Sequence, residues 1–278
     1  MIDKITEKPI KEQLERASVK YTNAEKTYLP VFENFHGVTG FFSLKNGAVD
    51  GWPYDNPRLF AQVGVENAVR VWPKQIHKTH IAVVRTEDIV PVKTDTPAGI
   101  VIPDTDGLIT NVKNVLLTTV HADCLAVFCY DPVKEAIGLS HAGWRGTCAG
   151  ISAEMISAMK KEYSCDPGSM HIYIGPGISR CCFEVGPEVA QTFTENWDFA
   201  EECISRTPED ITNGKYHIDI KEINRRQLKQ AGIPESQIQV SGHCTCCEPE
   251  LFCSYRREGG TYMRMGGGLC MNEQNSGL

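Results

Sequence analysis

Three short apolar runs follow one another between residues 115 and 143, and they limit the possible folds more than any other feature. The runs are VLLTTVHAD (115–123), CLAVFCYDP (124–132) and EAIGLSHAG (135–143), each bounded by residues that favour turns. Apolar runs of this length are typical of strands that are buried on both faces. They therefore predict an α/β or α+β fold with a large mixed β-sheet flanked by helices.

Segments on either side of these runs continue the alternation of strands and helices. Apolar and β-branched content predicts further strands within 28–42, 71–84, 170–175 and 217–220. Helical spacing of apolar residues predicts helices over 147–163, from about Pro187, and over 220–231. Thr147 is the expected N-cap of the first helix, and Gly232 is expected to end the last. Residues 91–107 are rich in Pro, Gly and Asp, which predicts a long loop.

Composition indicates one globular domain over residues 29–278, preceded by a charged extension over residues 1–28. The 278-residue chain is 41% hydrophobic and 23% charged, and it contains no internal repeat or Pro/Ser-rich linker. Its amino-terminal stretch lacks the apolar core of a signal peptide, and no run approaches 18 apolar residues. Twelve cysteines in such a chain indicate a reducing compartment. We therefore expect a cytoplasmic protein, without membrane association, that is a monomer or a homodimer.

The charge balance bears on the class of partner. With 28 basic and 35 acidic residues the net charge is −7, which argues against sequence-independent binding of nucleic acid. A local pocket for one small anion remains compatible with this charge.

Polar residues cluster at the ends of three predicted strands, in QIH (75–77), HADC (121–124) and HAGWRG (141–146). Two strands joined by one turn separate Cys124 from His141, so a hairpin brings them to one edge of the sheet. A neighbouring strand would supply His77 as a third ligand. Imidazole and thiolate suit Zn²⁺, with copper as the other candidate, and three ligands leave one position open, as in catalytic zinc sites.

Other ligands compete with this set. His121 is an alternative ligand, although a buried, hydrogen-bonded histidine is the favoured interpretation. If residues 74–82 form a strand, His80 faces away from His77 and does not reach the site. CTCCEPELFC (244–253) carries four thiols, but its spacing, taken as C-x-C-C-x5-C, favours free or buried cysteines over a metal site.

These motifs, together with TDGLIT (105–110), IGPGISRCCFEVG (174–186) and CTCCEPELFCSYRREGG (244–260), resemble the YfiH-like family. That family was long labelled multicopper polyphenol oxidase or laccase domain and is now known as a purine nucleoside phosphorylase family. The resemblance covers about residues 40–266 and implies a single α/β domain with zinc on His77, Cys124 and His141. It also implies phosphorolysis of adenosine, inosine, guanosine and methylthioadenosine, with deamination of adenosine, so purine nucleosides and phosphate are the expected partners.

Candidate catalytic residues are Gln75, Asp123 and Arg145. Arg145 is expected just before the helix that begins near Thr147, where the helix dipole favours anions. Asp123 would act as a base or orient a metal ligand, and the second role is favoured.

Candidate phosphate contacts come from four cationic side chains: Lys45, Arg256, Arg257 and Arg264. Guanidinium groups bind phosphate through two parallel hydrogen bonds. Leu44 and Lys45 stand where the family has an active-site arginine, and Lys45 keeps the positive charge without the bidentate fork.

Three other classes of function are alternatives. A laccase needs many more histidines than the eight in this chain, which has no H-x-H pair. A thiol hydrolase, including one that edits peptidoglycan precursors, would use Cys124 as nucleophile and His141 as base. A non-catalytic module would bind zinc without turnover. The H-x-E…P-C-x-x-C signature of cytidine-type deaminases is absent.

Overall fold

The computed structural model describes residues 26–48, 53–89 and 99–273. Only the last three residues of the predicted extension over 1–28 belong to this range, and Tyr28 already begins the first strand. Residues 91–98 of the predicted loop also lie outside the described residues.

The strands of the described residues are numbered in chain order. They are β1 (Tyr28–Val31), β2 (Val38–Ser43), β3 (Val69–Pro73), β4 (Ile81–Val83), β5 (Ile100–Ile102), β6 (Gly107–Thr110), β7 (Val115–His121), β8 (Leu125–Asp131), β9 (Ala136–Ala142), β10 (His171–Ile174), β11 (Glu184–Val185), β12 (Ile204–Ser205), β13 (Tyr216–Ile218), β14 (Ile238–Val240) and β15 (Met265–Met271). The α-helices are α1 (Pro57–Val63), α2 (Trp144–Cys148), α3 (Ile151–Tyr163), α4 (Pro187–Asn196), α5 (Pro208–Asn213), α6 (Ile220–Gln230) and α7 (Tyr255–Glu258).

Two six-stranded mixed sheets form the centre of the fold. The first has the order β1-β2-β15-β7-β3-β5, the second the order β14-β10-β8-β9-β6-β4, and a small sheet has the order β11-β13-β12. Both large sheets contain parallel and antiparallel neighbours, such as parallel β3 and β7 beside antiparallel β7 and β15. The prediction of a mixed α/β fold is confirmed.

The second sheet is covered on both faces, which explains the apolar runs that carry β8 and β9. Phe128 and Leu139 pack with Leu117 and Leu269 of the first sheet. The opposite face, which includes Val127, belongs to a core shared with helices α3 and α6. Every residue of β8 and β9 is buried as a result. The three predicted strands between residues 115 and 143 are confirmed as β7, β8 and β9.

The predicted helix over 147–163 is wrong at its beginning. Helix α2 begins at Trp144, and Gly150, with φ of 86°, separates it from α3. Thr147 lies inside α2 and is no N-cap, because its Oγ1 accepts a hydrogen bond from Asn224 Nδ2. A left-handed residue interrupts a helix, and glycine adopts that conformation without steric cost.

The predicted loop over 91–107 is also wrong in its second half. Residues Ile100–Ile102 form β5, which pairs in parallel with Val71–Pro73 of β3. Pairing with an existing strand edge outweighs the turn-rich composition around this segment.

No helix among the described residues is long and apolar enough to cross a bilayer.

Candidate functional site

The hairpin of β8 and β9 brings Cys124 close to His141. Ala126 lies opposite His141 in the antiparallel register, and Leu125 lies opposite Ala142. Cys124 immediately precedes β8, so its side chain meets the end of β9 at one edge of the sheet. The proximity predicted from the hairpin is confirmed.

His77 reaches the same edge from a loop, and the prediction that a strand carries it is wrong. Residues 74–80 connect β3 to β4 without strand structure, and His77 has φ of 61°. The buried carboxylate of Asp106 holds this loop by accepting the backbone N–H groups of Ile76, His77 and Lys78 at 3.1, 2.9 and 2.8 Å. These bonds offset the strain of a left-handed histidine.

The three side chains form one potential metal-binding group. The ligand atoms of His77, Cys124 and His141 all lie within 4.8 Å of one another. Asp106 Oδ1 lies 3.1 Å from His141 Nδ1, which fixes the ring and leaves Nε2 to bind an ion. Gly143 provides the space, because a Cβ there would approach Cys124 Sγ and His77 Cδ2 to 3.1 Å. The donor set and its carboxylate support fit a zinc site with an open position.

The electrostatics of the group favour a thiolate. Burial opposes ionisation of Cys124, but the adjacent imidazoles of His141 and His77 outweigh it and lower the pKa of Cys124 to about 6. Burial likewise opposes charging of His141, yet the Cys124 thiolate and the Asp106 carboxylate raise its pKa to about 9. A thiolate is the form of cysteine that binds metal.

The other candidate histidines have protein partners instead. His121 is buried, with Thr119 Oγ1 at 2.8 Å from Nε2 and the Cys124 carbonyl at 3.1 Å from Nδ1. Both ring nitrogens are therefore engaged, and burial lowers its pKa well below the ordinary value. His80 Nδ1 lies 3.0 Å from Thr105 Oγ1, and His80 does not belong to the metal-binding group. The interpretation of His121 as a buried, hydrogen-bonded histidine is confirmed.

A cavity of about 640 Å³ opens over the three ligands. His77, Cys124 and His141 line it together with aromatic side chains and three arginines. The aromatic residues are Trp144, Phe183 and Tyr255, and the arginines are Arg145, Arg256 and Arg264. This volume lies in the ordinary range for small-molecule sites. A chain of net charge −7 thus concentrates positive charge in this cavity.

The cavity arginines differ in how much they are engaged. Arg145 lies inside α2, not before a helix, and its guanidinium stacks 4.3 Å from the centre of the Trp144 ring. Within the described residues this guanidinium has no hydrogen bond or ion pair. Arg256 donates to the Cys182 carbonyl, and Arg264 donates to two carbonyls of its own loop. Arg145 is therefore the cation most available to an anionic ligand.

Two of the predicted phosphate contacts lie elsewhere. Arg257 is not a lining residue, because its guanidinium donates to the carbonyls of Thr245, Cys246 and Phe252 and stabilises the loop. Lys45 is not a lining residue either; it follows β2 in a short 3₁₀ turn whose backbone bonds to Leu251.

Asp123 and Gln75 line the cavity but are bonded to the protein. The Asp123 carboxylate accepts hydrogen bonds from Thr245 Oγ1, Ser254 Oγ and the backbone N–H of Arg256. It therefore ties residues 244–260, here called the tail motif, to the cavity wall, and none of these three hydrogen bonds involves a candidate metal ligand. Gln75 exchanges two hydrogen bonds with the backbone of Val120, at 2.9 and 2.8 Å. Both residues hold the cavity walls.

Asp106 is the residue that the sequence reasoning missed. It is buried, and it positions both the His77 loop and the His141 ring. It belongs to the TDGLIT motif (105–110). The signal available in the sequence is an acidic residue directly before the apolar run GLIT, because a carboxylate that is buried beside a strand requires a partner.

Comparison with known proteins identifies the family of this chain. The profile of the family described as multi-copper polyphenol oxidoreductase laccase matches residues 54–272. The chain belongs to this family. The crystal structure of hypothetical protein YfiH from Bacillus licheniformis superimposes with a TM-score of 0.79 at 29% identity, covering 88% of this chain and 97% of that one. The resemblance inferred from the motifs is confirmed.

Two relatives carry names that bear on chemistry. Purine nucleoside phosphorylase YlmD from Bacillus subtilis (strain 168) is 39% identical over 169 residues, which are 61% of this chain. The match spans 59% of YlmD, less than two thirds of its length. Adenosine deaminase RL5, from an unknown prokaryotic organism, is 32% identical over 72% of this chain and 74% of RL5.

Proposed function

We propose that this protein is a cytoplasmic, zinc-dependent purine nucleoside phosphorylase. The observation that carries the proposal is the group of His77, Cys124 and His141 at a cavity that also holds three arginines. Relatives named purine nucleoside phosphorylase support the reaction class. The cysteine-rich composition supports a reducing compartment.

Zinc would be held by His77, Cys124 and His141. A bound zinc ion polarises an oxygen atom beside it and stabilises negative charge that develops there. Asp106 keeps the His141 ring oriented, and Gly143 keeps the space beside the ligands free. The same donors occur in blue-copper sites. Among the described residues, which include all eight histidines, no second metal-binding group contains two histidines; this favours zinc chemistry over a multicopper oxidase.

Phosphate would bind at the arginines of the cavity. Arg145 offers a guanidinium that stacks on Trp144, while Arg256 of α7 and Arg264, directly before β15, add positive charge. Guanidinium binds phosphate through paired hydrogen bonds. Binding phosphate and nucleoside in the same cavity lowers the barrier, because the two reactants no longer have to meet in solution. These arginines would supply the positive charge expected of Lys45, which does not line the cavity.

The purine would bind against the aromatic side chains Trp144, Phe183 and Tyr255. Stacking accepts adenine, guanine and hypoxanthine because each has a π face. In phosphorolysis the bond from the purine nitrogen to the anomeric carbon breaks, a phosphate oxygen bonds to that carbon, and the purine leaves with a proton. The products are the free base and ribose 1-phosphate, and the arginines remain paired with the phosphoryl group throughout.

Adenosine deamination is the second candidate, favoured by the relative named adenosine deaminase RL5. In that reaction water replaces the amino group at purine C6, giving inosine and ammonia without any requirement for phosphate. Phosphate dependence therefore separates the two activities in one cavity.

Metal analysis combined with a phosphate-dependence assay tests the proposal. Protein purified without added metal should release base from adenosine and inosine only when phosphate is present. His141→Ala should abolish that release and remove one zinc per chain, whereas His80→Ala, the exposed control, should change neither.

Three results would contradict the proposal. Copper in place of zinc with oxidation of phenols indicates the oxidase. Full activity on an ester or amide by metal-free protein, lost on alkylation of Cys124, indicates the thiol hydrolase. Zinc without any turnover of nucleosides indicates a binding module.

A further inference from the structure

Four cysteines outside the cavity come together from two separate motifs. Cys181 and Cys182 lie in the loop between β10 and β11, and Cys244 and Cys247 lie between β14 and α7. Their sulfur atoms all lie within 4.8 Å of one another. The Sγ–Sγ distances are 3.7 Å from Cys181 to Cys244, 3.5 Å from Cys181 to Cys247 and 3.3 Å from Cys182 to Cys247.

These three distances come close to the edges of a zinc–thiolate tetrahedron and are slightly shorter. Zinc–thiolate bonds of about 2.3 Å in tetrahedral geometry place neighbouring sulfurs roughly 3.8 Å apart. A disulfide would instead require about 2.05 Å between sulfurs. The four thiols are therefore spaced as ligands of one ion.

The backbone around Cys244 is arranged for a thiolate. The N–H of Ser179 points at Cys244 Sγ with 3.4 Å between nitrogen and sulfur. The N–H groups of Cys247 and Glu248 both bond to the Cys244 carbonyl, which folds Cys244-x-x-Cys247 into a tight turn. C-x-x-C in a tight turn is the usual half of a structural zinc site.

A buried cation lies beside the cluster. The Lys221 ammonium group is buried near Cys244 and donates hydrogen bonds to the carbonyls of Ser241 and His243. Four thiolates around a divalent ion carry a net charge of −2, and a nearby ammonium offsets part of it.

We propose that this chain binds a second zinc ion, structural in role, on the four cysteines Cys181, Cys182, Cys244 and Cys247. Four protein ligands close the coordination shell and leave no position for a substrate. The site is separate from the group of His77, Cys124 and His141, and it does not depend on the proposed function.

The second ion would stabilise two walls of the cavity. On one side the Cys182 carbonyl accepts a hydrogen bond from Arg256, and Phe183 follows as a lining residue. On the other side Thr245 bonds to the Asp123 carboxylate. An ion that links Cys182 to the loop of Thr245 would stabilise both the Arg256–Cys182 and the Thr245–Asp123 hydrogen bonds.

Zinc stoichiometry tests the site directly. Wild-type protein purified under reducing conditions should contain two zinc ions per chain, and Cys181→Ser/Cys247→Ser should contain one. Both cysteines are exposed, so serine there leaves the core intact. His141→Ala should also contain one, and its zinc absorption spectrum should fit four sulfurs at about 2.3 Å with no nitrogen.

The matched control is Cys246→Ser, which changes a cysteine between two proposed ligands and should retain both ions. The proposal is overturned if wild-type protein and Cys181→Ser/Cys247→Ser bind the same amount of zinc. Nitrogen ligands in the spectrum of His141→Ala would overturn it as well. Loss of nucleoside turnover with two ions retained would count against the proposed function and leave this site supported.

Discussion

The substitution Asp106→Asn should weaken metal binding at the proposed site of His77, Cys124 and His141, although Asp106 is not one of the proposed ligands. Its two carboxylate oxygens each accept two N–H groups: Oδ1 from His77 and His141, and Oδ2 from Ile76 and Lys78. An asparagine side chain has the same shape but replaces one oxygen by an amide donor. Whichever way the amide turns, two N–H donors lose their acceptor.

The loss can be estimated from these bonds. Hydrogen bonds to charged groups contribute about 1.5–3 kcal/mol each, so two lost bonds cost at least about 3 kcal/mol. At about 2–4 °C per kcal/mol, metal-free Asp106→Asn should melt about 6–12 °C below metal-free wild type. Removing the partner of a metal-bound histidine reduces metal affinity by about 10- to 100-fold.

Competition with a chromogenic chelator measures zinc affinity, and calorimetry of the chelator-treated proteins measures the melting temperature. Asp104→Asn is the matched control, because Asp104 is exposed two residues away and asparagine tolerates its left-handed backbone. Unchanged zinc affinity and melting temperature in Asp106→Asn would refute the positioning role that the geometry assigns to this carboxylate.

Three further predictions concern the same cavity. Arg145→Ala should raise KM for phosphate by about 10- to 100-fold in steady-state kinetics, because it removes a charged hydrogen-bond donor, whereas Arg257→Ala should instead lower the melting temperature. Gly143→Ala should reduce zinc content, since its methyl group would crowd the ligands, and Gly242→Ala, with open space around its Cβ, should not. After zinc removal, the rate at which iodoacetamide labels Cys124 should rise as the pH passes about 6, because the thiolate is the reactive form. Mass spectrometry measures this labelling, and added zinc should prevent it.

The strand hairpin and the proximity of its two candidate ligands follow from local sequence alone. An apolar run of seven residues, a turn and a second run leave few alternatives to an antiparallel pair, so Cys124 and His141 were predictable neighbours. The helix boundary at Trp144 was not predictable in the same way. Thr147 has the chemistry of an N-cap, but its hydroxyl bonds instead to Asn224, a residue 77 positions away.

The four-cysteine cluster depends on two segments that are distant in sequence. The spacing of residues 244–253, taken as C-x-C-C-x5-C, favours free or buried cysteines, although Cys244-x-x-Cys247 within it has the C-x-x-C spacing of zinc sites. The second pair, Cys181 and Cys182, lies more than 60 residues earlier in another motif. Only the meeting of the two loops brings the four sulfurs within reach of one ion.

The sequence by itself determined the strands β7, β8 and β9, the hairpin and the family, because these follow from periodicity, turn chemistry and motif order. The tertiary structure decided which polar side chains share a site. Asp106 orders the His77 loop, Arg257 stabilises backbone carbonyls, and Arg145 stays available. Such roles depend on contacts between distant segments, and a buried polar group acquires its role from the partner that satisfies it.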